Sequence, residues 1–269
     1  MSQYTYLNGH IIHDAEANLR VTDLAILRGY GVFDFFRAIE GQPIFMDDHL
    51  DRFERSASFL GLHIPVSRQH IKDNILELIH INHHTLLGIR LVCTGGYGED
   101  GYTPAITPNL IMLAKPFIFH PIYNGLKLMT ENHQRDMPNV KTTNYIRPIS
   151  LIPLMKKINA DDVLYHQNGH ISESSRSNIC IIKDGILITP SQGILEGITR
   201  KKIISFAQEI LPVEIRMVTL GETMKADEVF LCGSTKRIAP VTSIDNQTFE
   251  IGPLTKLLYE RLLKEEQIV

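Results

Sequence analysis

The segment Met137-Pro-Asn-Val-Lys-Thr-Thr-Asn-Tyr145 has a lysine, Lys141, near its centre. A single lysine in a polar segment is typically a solvated surface residue, because charged side chains are rarely buried without a partner. Its meaning therefore depends on the groups that the rest of the chain can place around it. Three later segments supply such groups, and together with the lysine segment they decide how the chain is interpreted.

The three segments carry a carboxylate, a helix start and a turn with hydroxyl groups. Ile171-Ser-Glu-Ser-Ser-Arg-Ser-Asn178 contains Glu173, Gly197-Ile-Thr-Arg200 is typical of a helix N-terminus, and Leu231-Cys-Gly-Ser-Thr235 offers two hydroxyls. These are the parts needed to hold pyridoxal 5'-phosphate: the lysine forms the Schiff base, the acid pairs with the protonated pyridine nitrogen, and the helix start and hydroxyls bind the phosphate. We therefore predict a pyridoxal phosphate site.

Length, charge and cysteine spacing exclude several other classes of protein. The 269 residues carry a net charge of −3, which gives no basic face for nucleic acid or an anionic membrane. No apolar run has the length of a spanning helix and the N-terminus lacks the features of a signal peptide, so we expect a cytoplasmic protein. Cys93, Cys180 and Cys232 are widely spaced in apolar runs and are predicted to be reduced packing residues.

Hydrophobic periodicity predicts an α+β fold with two domains. A smaller N-terminal α/β domain is expected over residues 1–115, an interdomain linker over 116–125, and a larger, β-rich cofactor domain with helices over 126–269. Asn8-Gly9, Asn168-Gly169 and Asp184-Gly185 are predicted hairpin turns. The predicted helices include one capped by Asp47 or Asp48 and ending near Leu60, one capped by Ser67, one over Pro148–Asn159 and one over Ile198–Glu209.

Five motifs occur in an order and at distances that resemble the class-IV, or fold-type IV, pyridoxal-phosphate enzymes. They are His49-Leu-Asp-Arg52, Lys141-Thr-Thr-Asn144, Glu173 with Asn178, Gly197-Ile-Thr-Arg200 and Ala226-Asp-Glu-Val-Phe230. The family includes branched-chain and D-amino-acid aminotransferases and aminodeoxychorismate lyase. Nearly the whole chain takes part in the resemblance, which implies the fold-type IV architecture in two domains.

The resemblance also implies a role for individual residues. Lys141 matches the Schiff-base lysine, and Glu173 matches the partner of the pyridine nitrogen. The other positions that match cofactor-binding residues of the family are Arg52, Tyr145, Asn178, Ile198, Thr199 and Ser234. Arginine makes forked contacts to a phosphate, and backbone amides at a helix start add donors and a favourable dipole.

The implied reaction is a transamination in two halves. An incoming amino acid displaces Lys141, whose freed amine then moves the proton from the substrate Cα to the cofactor as general base and acid. A 2-oxo acid leaves, and the same steps run backwards on a second 2-oxo acid such as 2-oxoglutarate or pyruvate. Since one lysine serves both halves, its removal is expected to abolish turnover.

The substrate carboxylate requires a cation, and three arginines are candidates. They are Arg28, Arg90 and Arg176, each of which is by itself typical of a surface ion pair. Arg90 is favoured, because the matching position of branched-chain enzymes carries an arginine that faces the active site. Phe33 is a further candidate at the substrate site, since it stands where well-known D-amino-acid aminotransferases have a tyrosine.

Other features bear on the configuration of the substrate. Cys93-Thr-Gly-Gly-Tyr-Gly98 replaces the Arg-x-His element of well-known D-amino-acid aminotransferases, whereas Lys141-Thr-Thr-Asn144 has the shorter spacing of the D-specific branch. The chain is also similar to a less typical group of D-amino-acid transaminases that combine Asp23-Leu-Ala-Ile-Leu-Arg28-Gly-Tyr-Gly31 with Glu173-Ser-Ser-Arg176-Ser-Asn178. In that group, arginines at these positions bind carboxylate. This match favours D-amino acids.

Alternatives share most of the site. Aminodeoxychorismate lyase has the same lysine, acid and phosphate set but eliminates instead of reprotonating. A branched-chain aminotransferase is favoured by Arg90 and Tyr145, whereas a non-catalytic protein would lack Lys141 or Glu173.

His80, His83 and His84 are assigned no metal and no function, because no paired acid or cysteine accompanies them. The resemblance also implies a homodimer whose partners are small-molecule substrates, namely amino acids and 2-oxo acids.

Overall fold

The computed structural model describes residues 3–119 and 124–267. The chain divides into two compact units, Met1–Ile118 with Val140–Asn144, and Phe119–Asn139 with Tyr145–Val269. The lysine segment, Val140–Asn144, therefore belongs to the first unit, whereas the sequence placed it in the second domain. Of the predicted linker, positions 120–123 lie outside the described residues.

The first unit is built on a six-stranded sheet with the strand order β2-β1-β6-β5-β3-β4. Its strands are β1 (Tyr4–Leu7), β2 (His10–His13), β3 (Gly31–Ile39), β4 (Gln42–Pro43), β5 (Leu86–Thr94) and β6 (Leu110–Pro116), and its helices are α1 (Leu24–Arg28), α2 (Met46–Phe59) and α3 (Arg68–Asn82), with a 3-10 turn at Asp14–Glu16. Apolar residues of α2 and α3 pack on those of the sheet in one core, in which Phe36 and Phe53 are fully buried. Burial of such side chains is the main stabilising term of the unit.

The second unit is built on a nine-stranded sheet with the order β12-β11-β10-β13-β14-β7-β8-β9, in which β15 also pairs with β14. Its strands are β7 (Leu126–Asn132), β8 (Asp162–Gln167), β9 (His170–Ser174), β10 (Asn178–Lys183), β11 (Ile186–Pro190), β12 (Val213–Arg216), β13 (Glu228–Gly233), β14 (Arg237–Ile244) and β15 (Gln247–Thr248). Its helices are α4 (Ile146–Ile158), α5 (Ile198–Ala207), α6 (Leu220–Thr223) and α7 (Pro253–Gln267). The α+β prediction is confirmed.

Local turn chemistry agrees with the sequence. Each of the dipeptides Asn8-Gly9, Asn168-Gly169 and Asp184-Gly185 has two positive φ angles and joins two antiparallel strands. Such a turn matches the twist of the strands that it connects, which is why asparagine or aspartate followed by glycine is favoured. The three predicted hairpins are confirmed.

The predicted cap of α2 is wrong. The helix begins at Met46 after Phe45, which has a φ of 53° and makes no side-chain capping bond. Asp47 instead forms ion pairs with Arg68 at 2.9 Å and Lys72 at 2.6 Å. Those cations come from α3, which the sequence pattern of α2 does not reveal. Acidic residues in the first turn of α2 still suit the positive end of its dipole.

The starts of α3 and α4 can also be compared with their predictions. Ser67 does cap α3, since its hydroxyl accepts a hydrogen bond from the His70 amide. By contrast, α4 begins at Ile146, so that Pro148 lies in its first turn, where a missing amide costs little. The short α6 is not predicted, because four residues carry no helical periodicity.

The three cysteines, Cys93, Cys180 and Cys232, are free and buried, as predicted. Within the described residues, no helix combines the length and apolar character that crossing a bilayer requires.

Candidate active site

The lysine segment lies beside the start of β3 and the middle of α2. The Phe33 amide donates a hydrogen bond to the Lys141 carbonyl at 2.9 Å, and the Thr143 amide donates one to the Gly31 carbonyl, also at 2.9 Å. The Lys141 amide donates to the Ser56 hydroxyl of α2 at 3.2 Å. These backbone contacts fix the position of Lys141 within the first unit and leave its side chain half-buried.

Phe33 brings the lysine amine and a predicted substrate arginine to one ring. Lys141 Nζ lies 4.6 Å from the centroid of the Phe33 ring, and the guanidinium carbon of Arg90 lies 6.0 Å from the same centroid. On β5, Arg90 pairs with Phe35 of β3, so that alternation places it on the face that also carries Phe33. Cations are attracted to an aromatic face at such distances. The structure thus groups Lys141, Phe33 and Arg90.

Arg52 is buried on α2 and is held by a carboxylate that the sequence analysis did not assign. Its Nε donates to Asp34 Oδ2 at 2.9 Å and its Nη2 donates to Asp34 Oδ1 at 2.8 Å. His49, one turn earlier on α2, lies with Nδ1 2.7 Å from the same Oδ1. Asp34 is fully buried on β3 and Arg52 is 5% exposed. Alternation along β3 predicts an inward position for residue 34, and that was the available clue to its role.

The charges of this network follow from its burial. Burial by itself would raise the pKa of Asp34, but the charges and hydrogen bonds of Arg52 and His49 outweigh it, and the pKa lies well below its usual range. Burial lowers the pKa of His49, and although Asp34 opposes this shift, Arg52 and Lys141 add to it. A neutral His49 that donates from Nδ1 to the carboxylate is the protonation state consistent with these shifts.

Glu173 of the second unit is buried between a backbone amide and a guanidinium. Its Oε2 accepts a hydrogen bond from the Leu195 amide at 3.0 Å, and its Oε1 forms an ion pair with Arg135 Nε at 2.9 Å. A buried carboxylate is costly unless its charge is compensated, and Arg135 supplies that compensation. No sequence motif points to Arg135, although it lies only a few residues before the lysine segment.

Asn178 connects Glu173 to the start of α5. It pairs with Glu173 across β9 and β10, and its amide nitrogen donates to the Leu195 carbonyl at 2.8 Å. A Cβ atom on Gly197 would overlap the side-chain oxygen of Asn178, so glycine is required for this close approach. Asn178 thereby positions the loop that leads into the helix.

The start of α5 has the features of an anion site. Gly197 is its N-cap and makes no side-chain capping bond. Ile198 and Thr199, the first two helical residues, are buried. First-turn amides that no side chain caps, at the positive end of a helix dipole, suit a phosphate group.

Ser234 lies in the tight turn between β13 and β14. The Lys236 amide donates to the Gly233 carbonyl at 3.0 Å and closes this turn. The Lys236 ammonium donates to Asp162 Oδ2 at 2.7 Å and lies 3.5 Å from the Ser177 hydroxyl. An ion pair therefore ties the turn that carries Ser234 to β8.

The remaining predicted residues are less enclosed. Tyr145 is half-buried and precedes the first residue of α4. Arg28 is exposed at the end of α1 and donates to the neighbouring Leu27 carbonyl, and Arg176 is exposed in the β9–β10 turn. In the described part of the chain, no group of three potential ligands could hold a metal ion, and His80 and His83 only place their rings 5.2 Å apart.

These residues fit pyridoxal phosphate in their chemistry. The buried guanidinium of Arg52 and the uncapped start of α5 suit a phosphate dianion. The carboxylate of Glu173 suits a protonated ring nitrogen, and the half-buried amine of Lys141 suits covalent attachment. Each observation is independent of the others.

Comparisons with known proteins agree with this chemistry. Residues 31–244 match the family described as amino-transferase class IV. A putative branched-chain-amino-acid aminotransferase of Methanocaldococcus jannaschii is 33% identical over 95% of this chain and 94% of that protein. A D-alanine aminotransferase of Bacillus licheniformis is 30% identical over 93% of this chain and 92% of that protein.

Solved structures show the same fold. The branched-chain aminotransferase of Thermoproteus uzoniensis, solved with norvaline, has a TM-score of 0.90 at 26% identity and covers 98% of this chain and 94% of its own. The T.th. branched-chain aminotransferase, complexed with N-(5'-phosphopyridoxyl)-L-glutamate, has a TM-score of 0.92 at 25% identity and covers 98% of this chain and 93% of its own. The prediction of the fold-type IV architecture is confirmed.

Proposed function

The chain belongs to the class IV aminotransferases, which use pyridoxal phosphate, and from that premise we propose that it moves an amino group between a D-amino acid and a 2-oxo acid. The observation that carries the proposal is the shared ring of Phe33, with Lys141 Nζ at 4.6 Å and the Arg90 guanidinium at 6.0 Å. A cation for the substrate carboxylate and an amine for the Cα proton thus lie within about 6 Å of one aromatic ring.

Lys141 acts on the proton of the substrate. When bound, the cofactor supplies a ring that accepts the electron pair released at the substrate Cα. The Lys141 amine takes the Cα proton and returns it as general base and acid. Backbone hydrogen bonds to Phe33 and Ser56 hold the lysine in place for this transfer.

Other residues hold the cofactor and take no part in proton transfer. Arg52, the Ile198 and Thr199 amides and the Ser234 hydroxyl bind its phosphate. Glu173, whose charge Arg135 compensates, binds the ring nitrogen. Tyr145 contacts the ring of the cofactor. Asn178 positions the start of α5.

Substrate recognition rests on three exposed arginines and one aromatic ring. Arg90 binds the α-carboxylate, because guanidinium and carboxylate form paired, charge-assisted hydrogen bonds. Arg28 and Arg176 bind a second carboxylate, of a dicarboxylic substrate or of 2-oxoglutarate. Support for a D-amino acid comes from the sequence motifs that contain Arg28 and Arg176 and from the D-alanine aminotransferase relative.

A branched-chain L-amino acid is the second candidate substrate. The relative that is 33% identical has a branched-chain name, and the solved branched-chain structures have TM-scores of about 0.9. Fold similarity does not choose between the two substrates, since both activities occur on this fold.

A half-reaction assay tests the proposal. The purified, cofactor-loaded protein is mixed in turn with D-alanine, D-glutamate, L-leucine, L-glutamate and aminodeoxychorismate, and the visible absorbance of the bound cofactor is followed. Rapid conversion to the pyridoxamine form by D-amino acids is expected. Conversion by L-leucine alone transfers the assignment to the branched-chain activity. Pyruvate from aminodeoxychorismate, with no conversion by any amino acid, overturns transamination in favour of the lyase reaction.

We also propose that the protein is a homodimer. Leu151 is the buried residue of α4, whereas five aliphatic residues of the same helix are at least 40% exposed. The exposed residues are Ile146, Ile149, Ile152, Leu154 and Ile158. An apolar surface of this kind on a single helix is typical of a protein interface, and a second copy of the chain is the proposed partner.

Ile149→Glu is expected to shift the mass in light scattering from dimer to monomer. Leu257→Glu on α7 is the matched control, and a monomeric wild type overturns the proposal.

A further inference from the structure

We propose that Asp34 is a positioning residue, which orients the Arg52 guanidinium for the cofactor phosphate before the cofactor binds. The inference rests on the proposed role of Arg52 as a phosphate ligand. It adds a residue that does not itself touch the cofactor. The carrying observation is the two-point contact between the Asp34 carboxylate and the Arg52 guanidinium.

The geometry of this contact leaves Arg52 one orientation. Oδ2 and Oδ1 of Asp34 accept hydrogen bonds from Nε and Nη2 of Arg52 at 2.9 and 2.8 Å, which defines the plane of the guanidinium. A carboxylate and a guanidinium joined in this forked way are geometrically specific. Lysine could not form such a fork, because its ammonium is a point charge.

Asp34 is in turn held from several sides. It is fully buried on β3, and its Oδ1 also accepts a hydrogen bond from the Phe35 amide at 2.7 Å. His49 lies 2.7 Å from the same oxygen, and its ring packs against Phe36 with the centroids 5.2 Å apart. The carboxylate is therefore fixed by the strand and the helix together.

The benefit for binding is entropic. A free arginine side chain loses rotamer entropy when it is immobilised. If Asp34 immobilises Arg52 during folding, the phosphate meets an oriented guanidinium and does not bear that loss. Against this, the negative charge of Asp34 weakens the local positive potential that attracts the phosphate. Removal of the carboxylate would therefore weaken phosphate binding through the loss of orientation and strengthen it through the loss of the negative charge.

Asp34→Asn shows which effect is larger, because an amide of nearly the same shape has no charge and cannot accept both hydrogen bonds of the Arg52 fork. Apoprotein is titrated with pyridoxal 5'-phosphate and, separately, with pyridoxal, which has no phosphate. The variant is expected to bind pyridoxal phosphate at least about tenfold more weakly and pyridoxal within about twofold of wild type. A general structural defect would weaken both ligands. Unchanged or tighter binding of pyridoxal phosphate overturns the proposal.

Arg52→Gln distinguishes failure of this inference from failure of the phosphate assignment. If Arg52→Gln weakens pyridoxal phosphate binding and Asp34→Asn does not, the assignment of Arg52 stands and the role of Asp34 falls. If Arg52→Gln has no effect, both fall. In the double variant, the loss is expected to equal that of Arg52→Gln alone, because Asp34 acts through Arg52.

A measurement on the wild type keeps the inference testable should Asp34→Asn fail to fold. The Arg52 Nε–H resonance, assigned with Arg52→Lys, is followed in the apoprotein by nitrogen-edited NMR. Slow exchange with solvent before the cofactor is added is expected from the contact with Asp34. Fast exchange that slows only after the cofactor binds would show that the phosphate orders Arg52, and the proposal would be wrong.

Discussion

The residues proposed to bind the cofactor and the arginines proposed to bind the substrate differ sharply in how they are held. Arg52 and Glu173 are each 5% exposed and pair with an oppositely charged side chain. Arg28, Arg90 and Arg176 are exposed, and Arg28 makes its hydrogen bond to the carbonyl of the residue before it. The molecule thus fixes the charges proposed for the cofactor and leaves those proposed for the substrate at its surface.

Burial explains the difference. A charged group removed from water requires a partner, and the partner then fixes its geometry. An exposed arginine needs no such partner, and its ordering is left to the ligand. We infer that cofactor binding is robust to changes at the surface, whereas substrate choice depends on a few solvated side chains that can be exchanged at small cost in stability.

The largest expected effect is that of Lys141→Ala. Because one amine serves both half-reactions, turnover is expected to fall by at least about 10,000-fold. The exposed Lys127→Ala of β7 is the matched control and is expected to retain full activity. Residual turnover above about one per cent, measured with purified protein and saturating cofactor, would exclude Lys141 as the catalytic base.

Glu173→Gln tests the buried side of the comparison. The variant removes the charge proposed to lie beside the ring nitrogen and leaves the half-buried Arg135 opposite a neutral amide. We expect kcat to fall about 100- to 1,000-fold, with a loss of thermal stability caused by the uncompensated guanidinium. The exposed Glu250→Gln serves as control. A normal kcat together with a lowered melting temperature would make Glu173 a structural residue only.

Arg90→Gln tests the exposed side. The KM for the amino acid is expected to rise about 10- to 100-fold, with pyridoxal phosphate affinity within about twofold of wild type. Arg28→Gln and Arg176→Gln are expected to raise the KM of dicarboxylic substrates by about tenfold. Arg261→Gln on α7 is the control. If Arg90→Gln weakened cofactor binding as much as substrate binding, the separation between the two sets of residues would be lost.

The smallest expected effect concerns pH and His49. Its folded pKa is lowered, because burial, Arg52 and Lys141 oppose the charged form more than Asp34 favours it. Below the ordinary value of 6.5 the unfolded chain therefore takes up a proton that the folded protein does not, and stability is lost as the pH falls. Between about pH 7.5 and about pH 5.5, wild type is expected to lose more of its free energy of unfolding than His49→Gln.

Urea unfolding at the two pH values measures this difference. The exposed His63→Gln is the matched control and is expected to follow wild type. Equal pH dependence of His49→Gln and wild type would mean that the folded pKa of His49 is not lowered, and a smaller loss in wild type than in His49→Gln would mean that His49 is protonated in the folded network. The charge described for the Asp34 network would then be incorrect.

Much of the architecture could be predicted from local patterns. Alternating strands, turn dipeptides and the Ser67 cap depend on residues close in sequence, and these predictions are confirmed. Predictions that needed a partner from elsewhere were less successful. Asp47 forms ion pairs with cations of α3 instead of capping α2. The spacing of acidic residues on one helix cannot predict which of these two interactions forms.

The same limit applies to the candidate site. Lys141, Glu173 and Arg52 were selected for their chemistry and their motifs, but Asp34 and Arg135 were not. Neither of these two has a motif of its own, and each acquires its role by contact. A buried acid or arginine in isolation is indistinguishable from an ordinary charged residue of a strand or loop.

The sequence by itself determined the residue chemistry of this protein: a lysine, an acid and a helix start in an order that identifies a pyridoxal-phosphate family. Only the tertiary structure decided which charges are paired, as Asp34 with Arg52 and Arg135 with Glu173. The physical reason is that secondary structure follows from local periodicity. The partner of a buried charge depends instead on which strands and helices pack together, and that packing is a property of the whole fold.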